Sequence, residues 1–349
     1  MLKDLTAVIG LGLGGMTVTY EFQERNYPTY SVNGSEQDNK TLPNAKNTMK
    51  LEGYDGLAGD RQLAYTALKS NRHILKKLSD IEQKIIIVVA SGGGSTGSGC
   101  IPYVCDVLTQ NPDKIIVPIL LMPRHDESIQ KRLNAYNVAK ELMEIEELGG
   151  IIFVNNEAYP DLRKINAILV NMLDAFLIDT SYSSGSNFDD SEKMKMLKER
   201  GTFVIAMLSD KNSENNRVTT SDMIKALTVK NIFLPINTDG IVGNLGIINQ
   251  GKNKIDEHEI EKVVGTPENI FTGANGAVNI ACASGLSFPI EYISKLGKDA
   301  MEEQRARLNR RQSLTLLDDL EEVESPIIPE NKPVSKRKRT SLELLEGLD

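Results

Sequence analysis

Apolar and polar residues come in blocks along this chain. Short apolar runs of strand length are followed by longer stretches of helical period. The run Ile85-Ile86-Ile87-Val88-Val89-Ala90 has no polar position, as expected of a strand buried on both faces. Similar runs predict strands at residues 7–9, 29–32, 115–122 and 151–154. Helical spacing falls between them, over residues 17–25, 62–78, 101–109 and 128–148, the last stopped by Gly149-Gly150. A βαβα alternation of this kind predicts a doubly wound parallel sheet with ligands outside the carboxyl ends of its strands.

Residues 161–179 differ. Leu162, Ile165, Leu169, Met172, Leu173 and Phe176 form one apolar stripe, and Ile168, Val170 and Ile178 add apolar surface elsewhere. A helix apolar on several sides is a buried one. A polar break follows, then a helix at 191–200. Strands are expected at 203–208, 231–235 and about 278–283, with a helix starting near Ser287. The organisation predicted is an α/β domain (1–160), a central helix (161–180), a smaller C-terminal α/β domain (181–286), a long helix (287–320) and a flexible basic tail (321–349).

Composition narrows the classes. The net charge of −8 leaves no global basic field for nucleic acid. Three cysteines, Cys100, Cys105 and Cys282, make no disulfide set and no CxxC, so they read as reduced thiols. His73, His125 and His258 are too scattered to suggest zinc. The N-terminus has no charged-then-apolar leader pattern, and no apolar run approaches the ~18 residues of a membrane span. The expected location is a cytoplasm.

The candidate chemistry lies in two glycine-rich loops. Gly10-Leu11-Gly12-Leu13-Gly14-Gly15 follows the first strand, and Gly92-Gly93-Gly94-Ser95-Thr96-Gly97-Ser98-Gly99 follows the strand at 85–90. Glycines let backbone N–H groups close on a phosphate, and a following helix adds its positive end. The first loop alone fits a dinucleotide fold, with Glu36 or Asp38 as the ribose acid, or a plain strand-to-helix turn. The second loop has no Gly-Lys-Ser/Thr, so it is not a Walker motif. Two loops in one domain suggest one long polyphosphate held from both sides.

This combination resembles the tubulin/FtsZ superfamily of GTPases, whose signature is a GGGTGSG-type loop. Here Gly93-Gly94-Ser95-Thr96-Gly97-Ser98-Gly99 carries Ser95 in place of the third glycine, and Pro102 matches a proline at the start of the next helix. Asn33-Gly34-Ser35 is similar to the family's second nucleotide loop, and Gly53 to Arg61, with Gly59, to the third, which closes on the γ-phosphate. Pro123 to Glu127 occupies the place of the ribose-contacting loop. Asn155-Asn156-Glu157-Ala158 resembles a DNEA motif, which implies Asn156 as guanine reader, with Asn166 as a second. Leu162 stands where an aromatic is usual. Asn187-Phe188-Asp189-Asp190-Ser191-Glu192 resembles the NxDxxE hydrolysis loop, which implies Asn187, Asp189 and Glu192 as catalytic. Asp189 and Glu192 also spell a helix capping box.

The resemblance implies GTP or GDP bound with Mg²⁺ by Gly12, Leu13, Gly14, Asn33, Gly59, Gly93–Ser98 and Glu127, besides the two asparagines. It implies subunits stacked head to tail, each hydrolysing GTP with its neighbour's acids. Around the motifs the sequence is similar to the TubZ branch of plasmid- and phage-encoded partition GTPases. That branch implies filaments in a bacterial host cytoplasm and a DNA-binding adaptor of the TubR type. The run Lys336-Arg337-Lys338-Arg339 would meet the adaptor, being too short to hold DNA strongly by itself. An FtsZ-like division GTPase and an NAD-dependent dehydrogenase are the alternatives.

Overall fold

A computed structural model describes residues 1–178, 188–210, 217–237, 240–251 and 253–314. The chain divides into two units, Met1–Arg305 and Ala306–Asp349. The sheet and the site belong to the first. The second begins inside the last helix, and its residues 315–349, with the basic run, lie outside the described residues.

The strands are β1 (Thr6–Leu11), β2 (Thr29–Asn33), β3 (Thr48–Lys50), β4 (Ile85–Ser91), β5 (Ile115–Met122), β6 (Gly150–Asn155), β7 (Gly201–Leu208), β8 (Val242–Gln250), β9 (Pro267–Gly276) and β10 (Asn279–Leu286). The helices are α1 (Gly12–Gln23), α2 (Glu36–Thr41), α3 (Arg61–Ser70), α4 (Arg72–Ser79), α5 (Ser95–Thr109), α6 (Ile129–Glu144), α7 (Leu162–Ile178), α8 (Asp190–Lys198), α9 (Thr220–Thr228), α10 (Glu257–Val264) and α11 (Ile290–Leu314). The described strands form one sheet in the order β3-β2-β1-β4-β5-β6-β7-β10-β8-β9. From β3 to β7 all neighbours are parallel. β10 runs antiparallel between β7 and β8. The parallel and antiparallel parts of the sheet are joined where β6 pairs β7, at Gly150↔Gly201 and Ile151↔Thr202.

The apolar runs become strands because both faces are covered. Val8, Ile87, Val89, Val117 and Ile119 join a core with α1, α7 and α8. Their neighbours Ala7, Ile9, Ile86, Val88 and Leu120 join another with α3 to α6. Alternate residues of one strand thus feed opposite cores. The stripe of α7 is buried from Ile165 to Leu177, with Leu162 and Ile178 exposed at its ends. All three cysteines are buried, and burial pushes the Cys100 thiol up to about 12 and raises the other two. A thiol reagent at pH 8 is therefore expected to label none of them until the protein is denatured, which a timed absorbance assay checks.

Three expectations change. The helix expected over 62–78 is two, α3 and α4, broken at Asn71. The Asn71 carboxamide accepts from the Glu52 N–H at 3.0 Å and donates to the Glu52 and Ala67 carbonyls at 3.2 and 2.9 Å, so a long-range tie replaces helix continuity. Residues 231–235 make no strand: Phe233 forms one isolated bridge to Val154 before Pro235. The helix after the second glycine loop starts at Ser95, not 101, which puts Pro102 inside it.

Candidate functional site

β1 and β4 lie side by side, with Leu11 opposite Ala90. Each therefore delivers its glycine loop to the same point on the carboxyl edge of the sheet. Their helices start there, α1 at Gly12 and α5 at Ser95, and neither N-cap residue, Leu11 or Gly94, makes a side-chain cap. The first-turn N–H groups of both helices, from Gly12, Leu13 and Gly14 and from Ser95, Thr96 and Gly97, are left to a ligand, with two positive helix ends behind them. The loops touch. A Cβ on Gly12, whose φ is +69°, would lie 3.0 Å from the Gly97 nitrogen, and one on Gly97 would lie 2.9 Å from the Leu11 carbonyl oxygen.

Other expected residues border this cradle. Asn33, buried at the end of β2, accepts from the Gly34 N–H at 2.8 Å and from Thr96 Oγ1 at 3.5 Å. Ser98 turns its hydroxyl onto the Gly94 carbonyl, so it offers a ligand only backbone. Glu127 accepts from the Arg124 N–H at 3.0 Å and from Lys131 Nζ at 2.7 Å. Lys131 in turn packs on Gly93, its Cβ 3.1 Å from where a Gly93 Cβ would be. Gly59 belongs to a loop with left-handed φ at Gly53, Gly56, Ala58 and Gly59. Ala58 is the costly one, since its Cβ opposes that conformation.

The two asparagines expected to read the base sit to one side. Asn166 Nδ2 lies 3.5 Å from Thr17 Oγ1, which itself donates to the Gly14 carbonyl at 2.8 Å, so α7 meets the first turn of α1. Asn156 is buried, and its backbone is pinned to the Met122 carbonyl at 3.3 Å and by Arg124 Nε at 3.0 Å. Its carboxamide has no hydrogen-bond partner among the described residues. Arg124 also donates to the Tyr159 and Pro160 carbonyls at 3.1 and 2.6 Å, which fixes the chain entering α7.

The acidic loop is elsewhere. Asp189 caps α8, accepting from the Ser191 N–H at 2.7 Å, while Glu192 accepts from the Asp189 N–H at 3.1 Å, so the capping box is real. A hydrogen bond shared with Glu192, then those from Ser191, hold the Asp189 carboxyl down at about 2. Phe188, just before the cap, is buried against Phe271 and Phe176 at 6.0 and 6.1 Å between ring centroids, which anchors the loop and leaves Asp189 exposed. Asn187 lies outside the described residues.

Position is the informative fact. Ser191, Met194 and Lys195 share a groove with Lys84, Lys114 and Ile115, and Asp190 lies 3.7 Å from the N-terminal ammonium. Lys84 and Lys114 immediately precede β4 and β5. The acids therefore belong to the amino edge of the sheet and the glycine loops to its carboxyl edge. The seven residues of β4 separate the edges by about 20 Å.

The sequence reading missed Asn134 and Arg61. Asn134 is fully buried in the apolar stripe of α6, beside Ala135, Val138 and Leu142, and a polar residue in such a stripe was the available signal. Arg61 ties Glu141 to the Ser98 carbonyl, with Nη2–O 3.0 Å to the latter. Ser98 is free for it because Pro102, four residues on, has no N–H to give.

Comparison with known proteins decides the class. The description "Tubulin/FtsZ family, GTPase domain" matches residues 8–164, which span both glycine loops and Asn156 and end two residues before Asn166. Residues 8–164 are a Tubulin/FtsZ-family GTPase domain. The chain is 26% identical to the tubulin-like protein TubZ of Clostridium botulinum C phage, over 95% of this chain and 94% of that one. In fold it is similar to the tail-truncated TubZ of Clostridium botulinum phage c-st, with TM-score 0.75, 22% identity, and 87% and 100% of the two chains covered. It is also similar to a GTPγS-bound protofilament of CetZ2 from Haloferax volcanii, with TM-score 0.69, 19% identity, and 86% and 99% covered. The protein is thus a GTPase related to TubZ, and the dehydrogenase reading of the first loop is set aside. Among the described residues no helix is long and apolar enough to cross a membrane.

Proposed function

We propose that this GTPase assembles head to tail and completes its active site only at the contact between subunits. The observation that carries this reading is the separation of the phosphate cradle from Asp189 and Glu192 across the sheet, one on each edge. Neither edge can serve the other within one molecule, yet stacking brings the carboxyl edge of one subunit to the amino edge of the next. Such a contact is heterologous and does not close, so it propagates as a filament.

In this reading Gly12–Gly14 and Gly93–Ser98 bind the phosphates through backbone amides. Thr96 and Asn33 line the cradle, Gly59 and its loop cover the γ-phosphate, and Glu127 holds the ribose side. Asn156 and Asn166 read guanine, whose edge presents both a donor and an acceptor to a carboxamide. Asp189 and Glu192, with Asn187, orient and polarise a water from the neighbouring subunit. Mg²⁺, bound with the triphosphate, would neutralise phosphate charge there. Asp38, accepting from Asn33 Nδ2 at 3.4 Å, offers a carboxylate beside that pair.

The likeness to TubZ and the Lys336–Arg339 run support a finer role: filaments that move plasmid or phage DNA through a DNA-binding adaptor of the TubR type, in a bacterial cytoplasm. The general reading is tested by GTPase rate against protein concentration. Turnover per subunit should rise steeply and then level off. A rate per subunit independent of concentration would refute completion between subunits.

A further inference from the structure

Helix α6 lies under both loops that would flank a γ-phosphate. Asn134 Nδ2 donates to the Gly59 carbonyl at 3.0 Å and stands 3.5 Å from the Gly93 carbonyl. Gln130 Nε2 donates to Asn134 Oδ1 at 2.9 Å, which sets which end of the carboxamide faces the loops. The packing leaves no slack beside Gly93. Ala135 Cβ would lie 3.1 Å from a Cβ on Gly92, and Lys131 Cβ 3.1 Å from one on Gly93.

The exit of the Gly59 loop is tied down separately. Arg61, two residues on, grips Glu141 on α6 and the Ser98 carbonyl that Pro102 leaves free. Within the loop Ala58 holds a left-handed φ against its own preference, while Gly53, Gly56 and Gly59 adopt theirs freely. Between Gly59 and Gly93 the side chain that spans the gap is Asn134.

We propose that Asn134 is a positioning residue that registers the Gly59 loop over the phosphate loop and so sets the preference for GTP over GDP. The proposal rests on the reading above, in which these two loops hold the nucleotide's phosphates. Asn134 touches no phosphate; it acts through the Gly59 and Gly93 carbonyls. A γ-phosphate needs both loops at the right separation, whereas GDP lacks the group that the Gly59 loop would cover.

The test is GTPγS and GDP affinity by calorimetry for wild type, Gln130→Glu and Asn134→Asp. Gln130 is exposed, so its replacement spares the core. A carboxylate at 130 only accepts hydrogen bonds. It would draw the Asn134 N–H₂ toward itself and turn Asn134 Oδ1 onto two carbonyl oxygens. GTPγS affinity should fall about fivefold in Gln130→Glu, the worth of one neutral hydrogen bond, and further in Asn134→Asp, with a smaller loss of GDP affinity in both. Equal weakening of both nucleotides, or no change in either, would overturn the proposal. Wild-type protein that failed to bind GTPγS would instead overturn the phosphate-loop reading.

Discussion

Replacing Asp189 by Asn is expected to leave GTP binding and assembly intact while slowing hydrolysis about 100-fold, the scale of one lost general base. Asparagine is chosen because it caps a helix as well as aspartate does, so the start of α8 is kept and only the charge is removed. Glu192→Gln applies the same logic to the other half of the box and should also slow turnover. Asp189→Ala loses both functions, and its stability should fall by the worth of a cap, about 1 kcal/mol, read as a lower melting temperature. The hydrogen bonds that Asp189 shares with Glu192 and accepts from Ser191 hold its carboxyl down at about 2, so they contribute stability above its ordinary value of 3.8 that is lost as pH falls through about 2. GTP turnover between pH 5 and pH 8 should accordingly show no step from Asp189. If Asp189→Asn turned over GTP at the wild-type rate, the acids would be a helix cap and nothing more.

Gly12→Val should do the opposite. Position 12 has φ +69°, a conformation that a β-branched residue resists, and a Cβ there would press on the Gly97 nitrogen at 3.0 Å and on Thr96 Cβ at 3.3 Å. Strain of this kind costs 1–3 kcal/mol, so GTP affinity should drop by up to about 100-fold. The amino edge, with Asp189 and Glu192, is untouched. Retained nanomolar or micromolar affinity equal to wild type would mean that the two loops do not close on one ligand.

Much of this was legible in the sequence, for a reason that also marks its limit. The parallel half is built from uninterrupted apolar runs, because strands buried on both faces tolerate nothing else, so β1, β4, β5 and β6 could be read directly. β8 and β9 could not. They are Val-Gly-Asn-Leu-Gly-Ile-Ile-Asn-Gln and Pro-Glu-Asn-Ile-Phe-Thr-Gly-Ala-Asn-Gly, in which glycine and asparagine mask the strand signal. Their glycines answer to packing: a Cβ on Gly246 would lie 2.5 Å from Phe188 Cζ, so that glycine makes room for the ring that anchors the acidic loop. Residues 231–235 misled in the other direction, with apolar residues that bury against β6 through single hydrogen bonds instead of a ladder.

The site shows the same division. Loops that bind through backbone amides announce themselves by glycine, and the paired acids by spacing. Asn134 and Arg61 act through tertiary contacts with carbonyls from distant segments, and no local pattern encodes those partners. The sequence could place Pro102 but not the consequence, that its missing N–H hands the Ser98 carbonyl to Arg61.

The central claim is that each catalytic site is shared, and mixing two crippled proteins tests it most directly. Asp189→Asn keeps a sound phosphate cradle without the acid; Gly12→Val keeps the acid without a sound cradle. Each alone should be nearly inactive. Mixed at equal concentration, they should regain GTP turnover well above the sum of their separate rates, because a Gly12→Val subunit lends its carboxylates to the nucleotide of an Asp189→Asn neighbour. A mixture no more active than that sum, beside an active wild type, would contradict the account.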